Sequence, residues 1–424
     1  MFIKDKKVCV VGLGYVGLPT ACVLANSGYQ TTGFDINRAL VNKLNSGVSR
    51  LNEPAIRELV KNVVRNKQFR ATYNKNVIVD ADVIIICVQT PVTGVVPNLD
   101  ALKAAVRTVA SNIKPGAIVI LESSVPPGTC QNKILPIFKI AKQTDGKTFF
   151  FGYLPERLSP GDSINEFANN TRILGVNNQD SKTTILSFLK TVITGEILTS
   201  TIVTAEITKL AENASRDVAI AFSNELSKVC IANGASVWDV IQLANTHPRV
   251  SLLRPGPGVG GPCLTKDSYL LNTSKSSIMR TARNINDNMY KEVVALIAQA
   301  GKIRGKKISV FGVTYKPDVD DTRFSPSEKV IKTLMLAGAK ITTYDPYSHE
   351  TFGAKRALSF KAAVQNADCV VFLVAHTEFK HIDPLSFTTQ MAQPVVIDAV
   401  NLLSDLTPNK KYLYLKLGAG ESPK

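Results

Sequence analysis

The segment Val8-Cys9-Val10-Val11-Gly12-Leu13-Gly14-Tyr15-Val16-Gly17 constrains the chain more than any other. Its apolar residues read as a buried strand, Lys7–Gly12, and the glycines turn that strand into a helix, Tyr15–Ser27. Gly12 allows the tight turn, Gly14 lets the backbone approach a pyrophosphate, and Gly17 lets the helix pack closely on the strand. A pyrophosphate then rests on the amides of the helix N-terminus. Three spaced glycines alone are a weak signal. Here Gln30–Asp35 reads as a second strand with Asp35 at its end. A carboxylate there accepts hydrogen bonds from the ribose hydroxyls of NAD and repels the 2′-phosphate of NADP. Arg38 keeps NADP as an alternative. The plainer alternative is a glycine turn needed only for packing.

Further strands follow at Val83–Val88 and Ala117–Glu122, each ending in a polar, Pro-containing loop. Strands alternating with helical patterns imply a parallel, doubly wound sheet. The middle differs. Ile202–Asn233 has no Pro and no Gly, and Ile207, Leu210, Ala214, Val218, Ala221, Phe222 and Val229 form an apolar stripe at helical spacing. Helices at Val237–Asn245 and Ile278–Ile303 flank a Pro/Gly-rich loop, His247–Lys266. After a break at Arg304–Lys307, strands recur at Lys307–Gly312, Lys340–Asp345, Cys369–Ala375 and Val395–Asp398. Here Phe311-Gly312-Val313-Thr314-Tyr315-Lys316-Pro317 has one glycine where the first turn has three, so this part should not bind a whole dinucleotide alone. The tail from Gly418 should fray.

The chain has 424 residues, 45% of them hydrophobic, which suffices for two or three ordinary domains. Its net charge of +16 suits an anionic partner. The basic residues are scattered, with no nucleic-acid motif and no basic run interleaved with aromatics. A phosphate-bearing small ligand is one reading of the excess, and a solvated basic surface is the other. The seven cysteines include no CxxC pair, which points to a reducing compartment and no metal site. No secretory leader precedes the first strand, and no apolar stretch approaches the roughly 20 residues that span a bilayer. The expectation is a cytoplasmic protein with no membrane or nucleic-acid partner.

Pro255-Gly256-Pro257-Gly258-Val259-Gly260-Gly261-Pro262-Cys263-Leu264-Thr265-Lys266-Asp267 is a shaped loop with few bulky side chains, ending in a thiol. Such a loop lets a ligand reach the backbone, and a nearby lysine favours the nucleophilic thiolate. A lone cysteine after glycines is more often structural, and the loop is what argues for function here. Lys209, Asn213 and Arg216 fall at i, i+4 and i+7 on the long helix and share one face. They could hold an oxyanion and a carboxylate or phosphate. They could equally be an ordinary solvated face.

Seven segments in order resemble the UDP-glucose/GDP-mannose dehydrogenase family. They are GLGYVGLPTA (Gly12–Ala21), VQTP (Val88–Pro91), ESSVPPGT (Glu122–Thr129), PER (Pro155–Arg157), KLAENASRD (Lys209–Asp217), GPGVGGPCLTKD (Gly256–Asp267) and YKPDVDDTR (Tyr315–Arg323). The resemblance implies an α/β chain of two Rossmann-like, doubly wound domains joined by a long central helix and a helical dimerisation region. It divides the chain into an NAD-binding domain (1–200), a central helical dimerisation domain with the cysteine loop (201–303), and a UDP-sugar-binding domain (304–424). It also implies a homodimer or dimer of dimers.

The implied activity is oxidation of a sugar C6 alcohol to a carboxylate by two hydride transfers to NAD, through a thiohemiacetal and a thioester on Cys263. Lys209 and Asn213 are then beside the reacting oxygen, Asp267 organises a water, and Glu156 is the base for thioester hydrolysis. Gly12, Gly14, Tyr15, Val16, Gly17, Asp35, Arg38, Thr90, Ser124 and Arg323 are implied for the cofactor. Arg157, Leu158, Lys209, Asn213, Arg216, His247, Arg249, Gly260, Tyr315 and Lys316 are implied for the substrate. Two positions depart from the family pattern. Ser124 replaces the usual Thr, which keeps a hydroxyl. Val400 replaces an Arg in Asp398-Ala399-Val400-Asn401, so one phosphate or sugar contact is missing or supplied elsewhere. The segments Asn213–Val218 and Ala244–Val250 are most similar to the branch acting on UDP-N-acetylmannosamine, with UDP-N-acetylglucosamine and UDP-glucose as alternatives. A two-electron hydroxyacid dehydrogenase of related architecture and a non-catalytic nucleotide-sugar sensor are the remaining readings.

Overall fold

The structure, a computed structural model, describes residues 5–51, 53–157, 161–271, 276–403 and 410–420. It divides into two compact units, Met1–Glu212 with Tyr269–Leu271, and Asn213–Ser268 with Asn272–Lys424.

In the first unit an eight-stranded sheet runs in the order Ile197–Ser200, Arg172–Gly175, Phe149–Tyr153, Ala117–Leu121, Val83–Ile86, Lys7–Val11, Gln30–Phe34, Phe69–Thr72. Neighbours are parallel except at Tyr153↔Gly175. The central strands Val83–Ile86 and Ala117–Leu121, and Val8–Val11 of the first strand, read as unbroken apolar runs because both faces are covered. Successive side chains point to opposite faces, so Val8, Val10, Val83, Ile85, Ile118 and Ile120 enter one core cluster. Cys9, Val11, Ile84, Ile86, Val119 and Leu121 enter the other.

The first turn is close-packed. Gly12 has φ +91°, which a side chain rarely adopts. A Cβ on Gly17 would lie 1.9 Å from the Gly12 carbonyl oxygen. Gly14 differs: a Cβ there would meet only Arg50 Nη2, at 3.8 Å.

In the second unit a parallel sheet runs in the order Lys355–Arg356, Lys340–Tyr344, Lys307–Phe311, Cys369–Phe372, Val395–Asp398, Leu413–Lys416. Numbered along the chain, this is 3-2-1-4-5-6, the doubly wound dinucleotide-binding order. The long helix spans Ile202–Ala232, followed by Val237–Ala244, Leu264–Leu270 and Ser277–Gln299.

Two expectations are corrected. The apolar stripe of the long helix is not one buried face. Leu210, Ala214 and Ala221 are buried, but Ile207, Phe222 and Val229 are 43%, 54% and 53% exposed. The tail from Gly418 is docked rather than frayed as far as Gly420. Val237 N donates to Gly418 O at 2.8 Å, Gly420 N to Ala235 O at 2.9 Å, and Trp238 Nε1 to Leu417 O at 2.8 Å. Glycines give this tail its grip, because a Cβ on Gly418 would lie 2.4 Å from Val237 Cγ1.

The two glycines of the turn make opposite predictions. Gly17→Ala should cost about 2 kcal/mol or more, and Gly14→Ala should stay within about 0.5 kcal/mol of wild type. Thermal melts of the two variants check this, and equal melting points would contradict the packing described.

Candidate active site

Val16 is the N-cap of helix Gly17–Asn26 and supplies no side-chain cap, while Leu18 N donates to Gly14 O at 3.2 Å. Asp35 Oδ2 accepts from Leu13 N at 2.8 Å and Oδ1 from Asn37 N at 2.9 Å. Each oxygen retains capacity for a second hydrogen bond. The uncapped amides, the open Gly14 and the fixed carboxylate fit a dinucleotide. Arg38 is stacked on Tyr73, 4.8 Å from the ring centroid. Arg50 was passed over in the sequence because it is an isolated cation far from the glycines. Its Cζ lies 5.5 Å from the Tyr15 ring centroid, which places a guanidinium at the glycine turn.

The loops after strands Val83–Ile86 and Ala117–Leu121 are laced together. Thr90 Oγ1 donates to Ser124 O and Ser123 Oγ to Val88 O, both at 2.6 Å. Below them Glu122 is buried, accepting from Thr20 Oγ1 at 3.1 Å and Cys87 Sγ at 3.2 Å, with Arg172 Nη2 at 3.4 Å. Burial pushes its carboxyl up, against the pull of Arg172. Glu206, at the start of the long helix, accepts from Gly128 N and Cys130 N and so fixes the far end of the ESSVPPGT loop. Nothing in its spacing had singled it out. Glu156 is 8% exposed. The guanidinium of Arg157 is bound by Glu212 and by Thr171 O. Leu158 lies outside the described residues. Lys209 is 7% exposed, whereas Arg216, two turns along, is exposed. The expected three-residue face is therefore divided between interior and surface.

In the second unit Cys263 stands immediately before the short helix Leu264–Leu270. Its carbonyl accepts from Lys266 N at 3.0 Å and Asp267 N at 2.9 Å. Of the seven cysteines, six are buried and Cys263 is exposed. Burial pushes the thiols of Cys9, Cys22 and Cys369 up to about 12, which leaves them inert as nucleophiles. Asp267 is 1% exposed and accepts from Asn213 Nδ2 at 2.6 Å. Lys266 Nζ lies 3.9 Å from Asp267 Oδ1.

Three of the loop's four glycines are also required by packing. A Cβ on Gly260 would lie 2.7 Å from Phe324 O, and one on Gly261 would lie 2.8 Å from Tyr315 Cε2. Only Gly256 among the loop's four stands in open space. Tyr315 thus packs against the cysteine loop. Lys316 O accepts from Thr314 Oγ1 at 2.9 Å, and Arg323 Nη2 pairs with Asp321 at 2.6 Å. His247 and Arg249 are exposed, with Arg249 N donating to His247 Nδ1 at 3.3 Å. Val400 lies on a turn closed by Asp398, which accepts from the amides of Val400, Leu402 and Leu403.

Residues 6–193 match the NAD binding domain of the UDP-glucose/GDP-mannose dehydrogenase family, 203–288 its central domain, and 309–405 its UDP binding domain. The chain is 37% identical over 426 residues to a UDP-N-acetyl-D-mannosamine dehydrogenase of Methanococcus maripaludis, covering 97% of this chain and 96% of that one. It is 34% identical over 417 residues to the Escherichia coli protein of the same name, covering 92% and 98%. The solved UDP-D-ManNAc dehydrogenase of Pyrococcus horikoshii superposes with a TM-score of 0.92 at 36% identity, covering 98% of this chain and 99% of that one. The chain belongs to the UDP-glucose/GDP-mannose dehydrogenase family.

Arg50→Ala should weaken NAD by roughly 1 kcal/mol, the scale of a partly exposed charge-assisted contact, and leave adenosine binding unchanged. Calorimetric titration checks this, and equal losses for both ligands would place Arg50 away from the diphosphate.

Proposed function

We propose that the chain oxidises UDP-N-acetyl-D-mannosamine at C6 to the uronate, in four electrons, in the cytoplasm. The observation that carries this reading is Cys263, the one exposed thiol, placed at a helix start one turn from a buried carboxylate that Asn213 holds. Bound NAD supplies the hydride acceptor for each of the two oxidations.

In the first oxidation, C6 loses a hydride and its hydroxyl loses a proton, which passes through the water organised by Asp267. Lys209 and Asn213 stabilise the charge developing on that oxygen. The Cys263 thiolate then bonds to the aldehyde carbon, and the oxygen takes a proton, giving a thiohemiacetal. Loss of a second hydride and of the hydroxyl proton gives a thioester. Glu156 takes a proton from water, the water oxygen bonds to the carbonyl carbon, and the carbon–sulfur bond breaks. The products are the carboxylate and the regenerated thiol.

The diphosphate of the substrate binds to cationic and backbone donors at Gly260, Tyr315 and Lys316, and Arg323 serves the cofactor. Arg216, His247 and Arg249 are exposed cations or donors suited to the sugar, with Arg249 reaching it across a subunit boundary. Arg157, whose guanidinium is bound by Glu212 and Thr171 O, is a further substrate candidate. Phe222, Val229, Ile231 and Leu243 are exposed apolar side chains on the long helix and its successor, and their burial against a second copy supports a homodimer.

A site built around an acetamido group rejects analogues lacking it, because its buried polar groups are left unpaired. Values of kcat/KM should therefore rank UDP-N-acetylmannosamine above UDP-N-acetylglucosamine and UDP-glucose. Preference for either of the latter would refute the branch assignment while leaving the chemistry standing. Cys263→Ser should lower net acid formation by far more than tenfold, a loss well beyond about 1.4 kcal/mol. Retention of activity within tenfold would remove Cys263 as nucleophile.

A further inference from the structure

Both ends of the loop that carries Cys263 hang from one face of the long helix. At the entrance, Gly256 N donates to Asn224 Oδ1 at 3.0 Å. At the exit, Asn213 Nδ2 donates to Asp267 Oδ2 at 2.6 Å, and Ser268 Oγ donates to Asp217 Oδ2 at 3.1 Å. Asn213, Asp217 and Asn224 fall at i, i+4 and i+11, which a 3.6-residue repeat brings to one face.

Helix Ser277–Gln299 ties these positions together. Asn286 Nδ2 donates to Asp217 Oδ1 at 2.8 Å and to Asp217 O at 2.9 Å, and its Oδ1 accepts from Asn224 Nδ2 at 2.8 Å. Arg283 Nη1 donates to Asp217 Oδ1 at 2.6 Å. Midway along the loop, a Cβ on Gly258 would lie 2.9 Å from Asn286 O. Asp217 and Asn224 are 0% exposed, and Arg283 and Asn286 are 2% exposed. Buried ion pairs and amides are costly beside apolar packing of the same volume. What they add is direction: each hydrogen bond fixes one backbone point relative to the helix.

We propose that Asp217 and Asn224 are positioning residues for the nucleophile. They hold loop 256–268 in register with the helix at its two ends. They thereby set where Cys263 Sγ stands when its carbon–sulfur bond forms. The proposal rests on the reading of Cys263 given above, but its first readout does not.

That readout is the rate at which iodoacetamide alkylates Cys263 in the full-length chain, followed by peptide mass. The other six cysteines are buried, so the reaction reports one thiol. Asn224→Ala and Asp217→Ala should change the rate at least about threefold. They should lower kcat roughly tenfold to a hundredfold, the scale of a displacement of ~1 Å, with NAD affinity unchanged. Asp217→Asn should restore most of both, because a serine hydroxyl can accept from an amide as readily as it donates. If the alanine variants fail to fold, Ser268→Ala removes only the Ser268–Asp217 hydrogen bond at the exit and should shift both readouts in the same direction with little change in melting point. Lower melting points with alkylation rate and kcat equal to wild type would overturn the proposal. If Cys263→Ser stays active while these variants still alter alkylation, the tether stands and the nucleophile reading fails.

Discussion

Asp217 has no solvent contact, yet its carboxylate is met by Arg283, Asn286 and Ser268. Burial raises its proton affinity, and the Arg283 charge works against that rise. The cysteine loop, the short helix after it and the helix Ser277–Gln299 all make contact with this one group or its amide neighbours. An apolar core would fill the same volume without fixing the rotation of one helix against another. The exposed thiol is held by a buried network, and its exposure and its order come from different parts of the same loop. That loop needs glycine at Gly258, Gly260 and Gly261 because the chain passes close to Asn286, Phe324 and Tyr315. Its glycines therefore serve the thiol's placement.

The two sheets share a frame and differ in what they leave available. Gly12 and Gly312 have φ of +91° and +90°, and each donates its N–H to the residue preceding an aspartate. Asp35 and Asp345 then each accept from the amide after the glycine, at 2.8 Å and 2.7 Å. Asp35 is half-buried and keeps accepting capacity. Asp345 is buried and already engaged by His376 Nε2 at 3.0 Å. His376 Nδ1 accepts from Asp318 N at 2.9 Å, so the proton sits on Nε2 and is donated to Asp345. Burial alone would raise the Asp345 carboxyl, but that hydrogen bond and the backbone amides hold it below the usual range. In the second frame the corresponding carboxylate is taken up by the chain's own histidine. This explains how a domain built like the first can serve the UDP-binding half of the family.

Much of this was legible in the sequence. Strands with four or five consecutive apolar residues were readable because both faces of a parallel sheet are buried. The long helix was readable from its length without Pro or Gly. Phe69–Thr72, Phe149–Tyr153, Arg172–Gly175 and Ile197–Ser200 were not read as strands. Phe69–Thr72, Arg172–Gly175 and Ile197–Ser200 mix polar residues or glycine into four positions, and Phe149–Tyr153 is aromatic with a glycine rather than an aliphatic run. The catalytic motif residues were readable as resemblance, while their placement was not. Periodicity put Lys209, Asn213 and Arg216 on one face, but it could not say where that face passes from interior to surface. Asn224 follows Ala221 of the apolar stripe by three residues, and only the structure shows its Oδ1 accepting from Gly256 N at 3.0 Å. Glu206 acts through the distant amides of Gly128 and Cys130, and Arg50 meets the distant ring of Tyr15, so neither leaves a local pattern.

The account turns on a thioester formed at Cys263 between two hydride transfers, and the number of electrons removed per sugar tests it most directly. Purified protein would be given limiting UDP-N-acetylmannosamine and excess NAD, with NADH followed by absorbance and the sugar nucleotide quantified by chromatography. The account predicts two NADH for each sugar consumed, with the uronate as the sole product. One NADH per sugar, with the aldehyde accumulating, would contradict it.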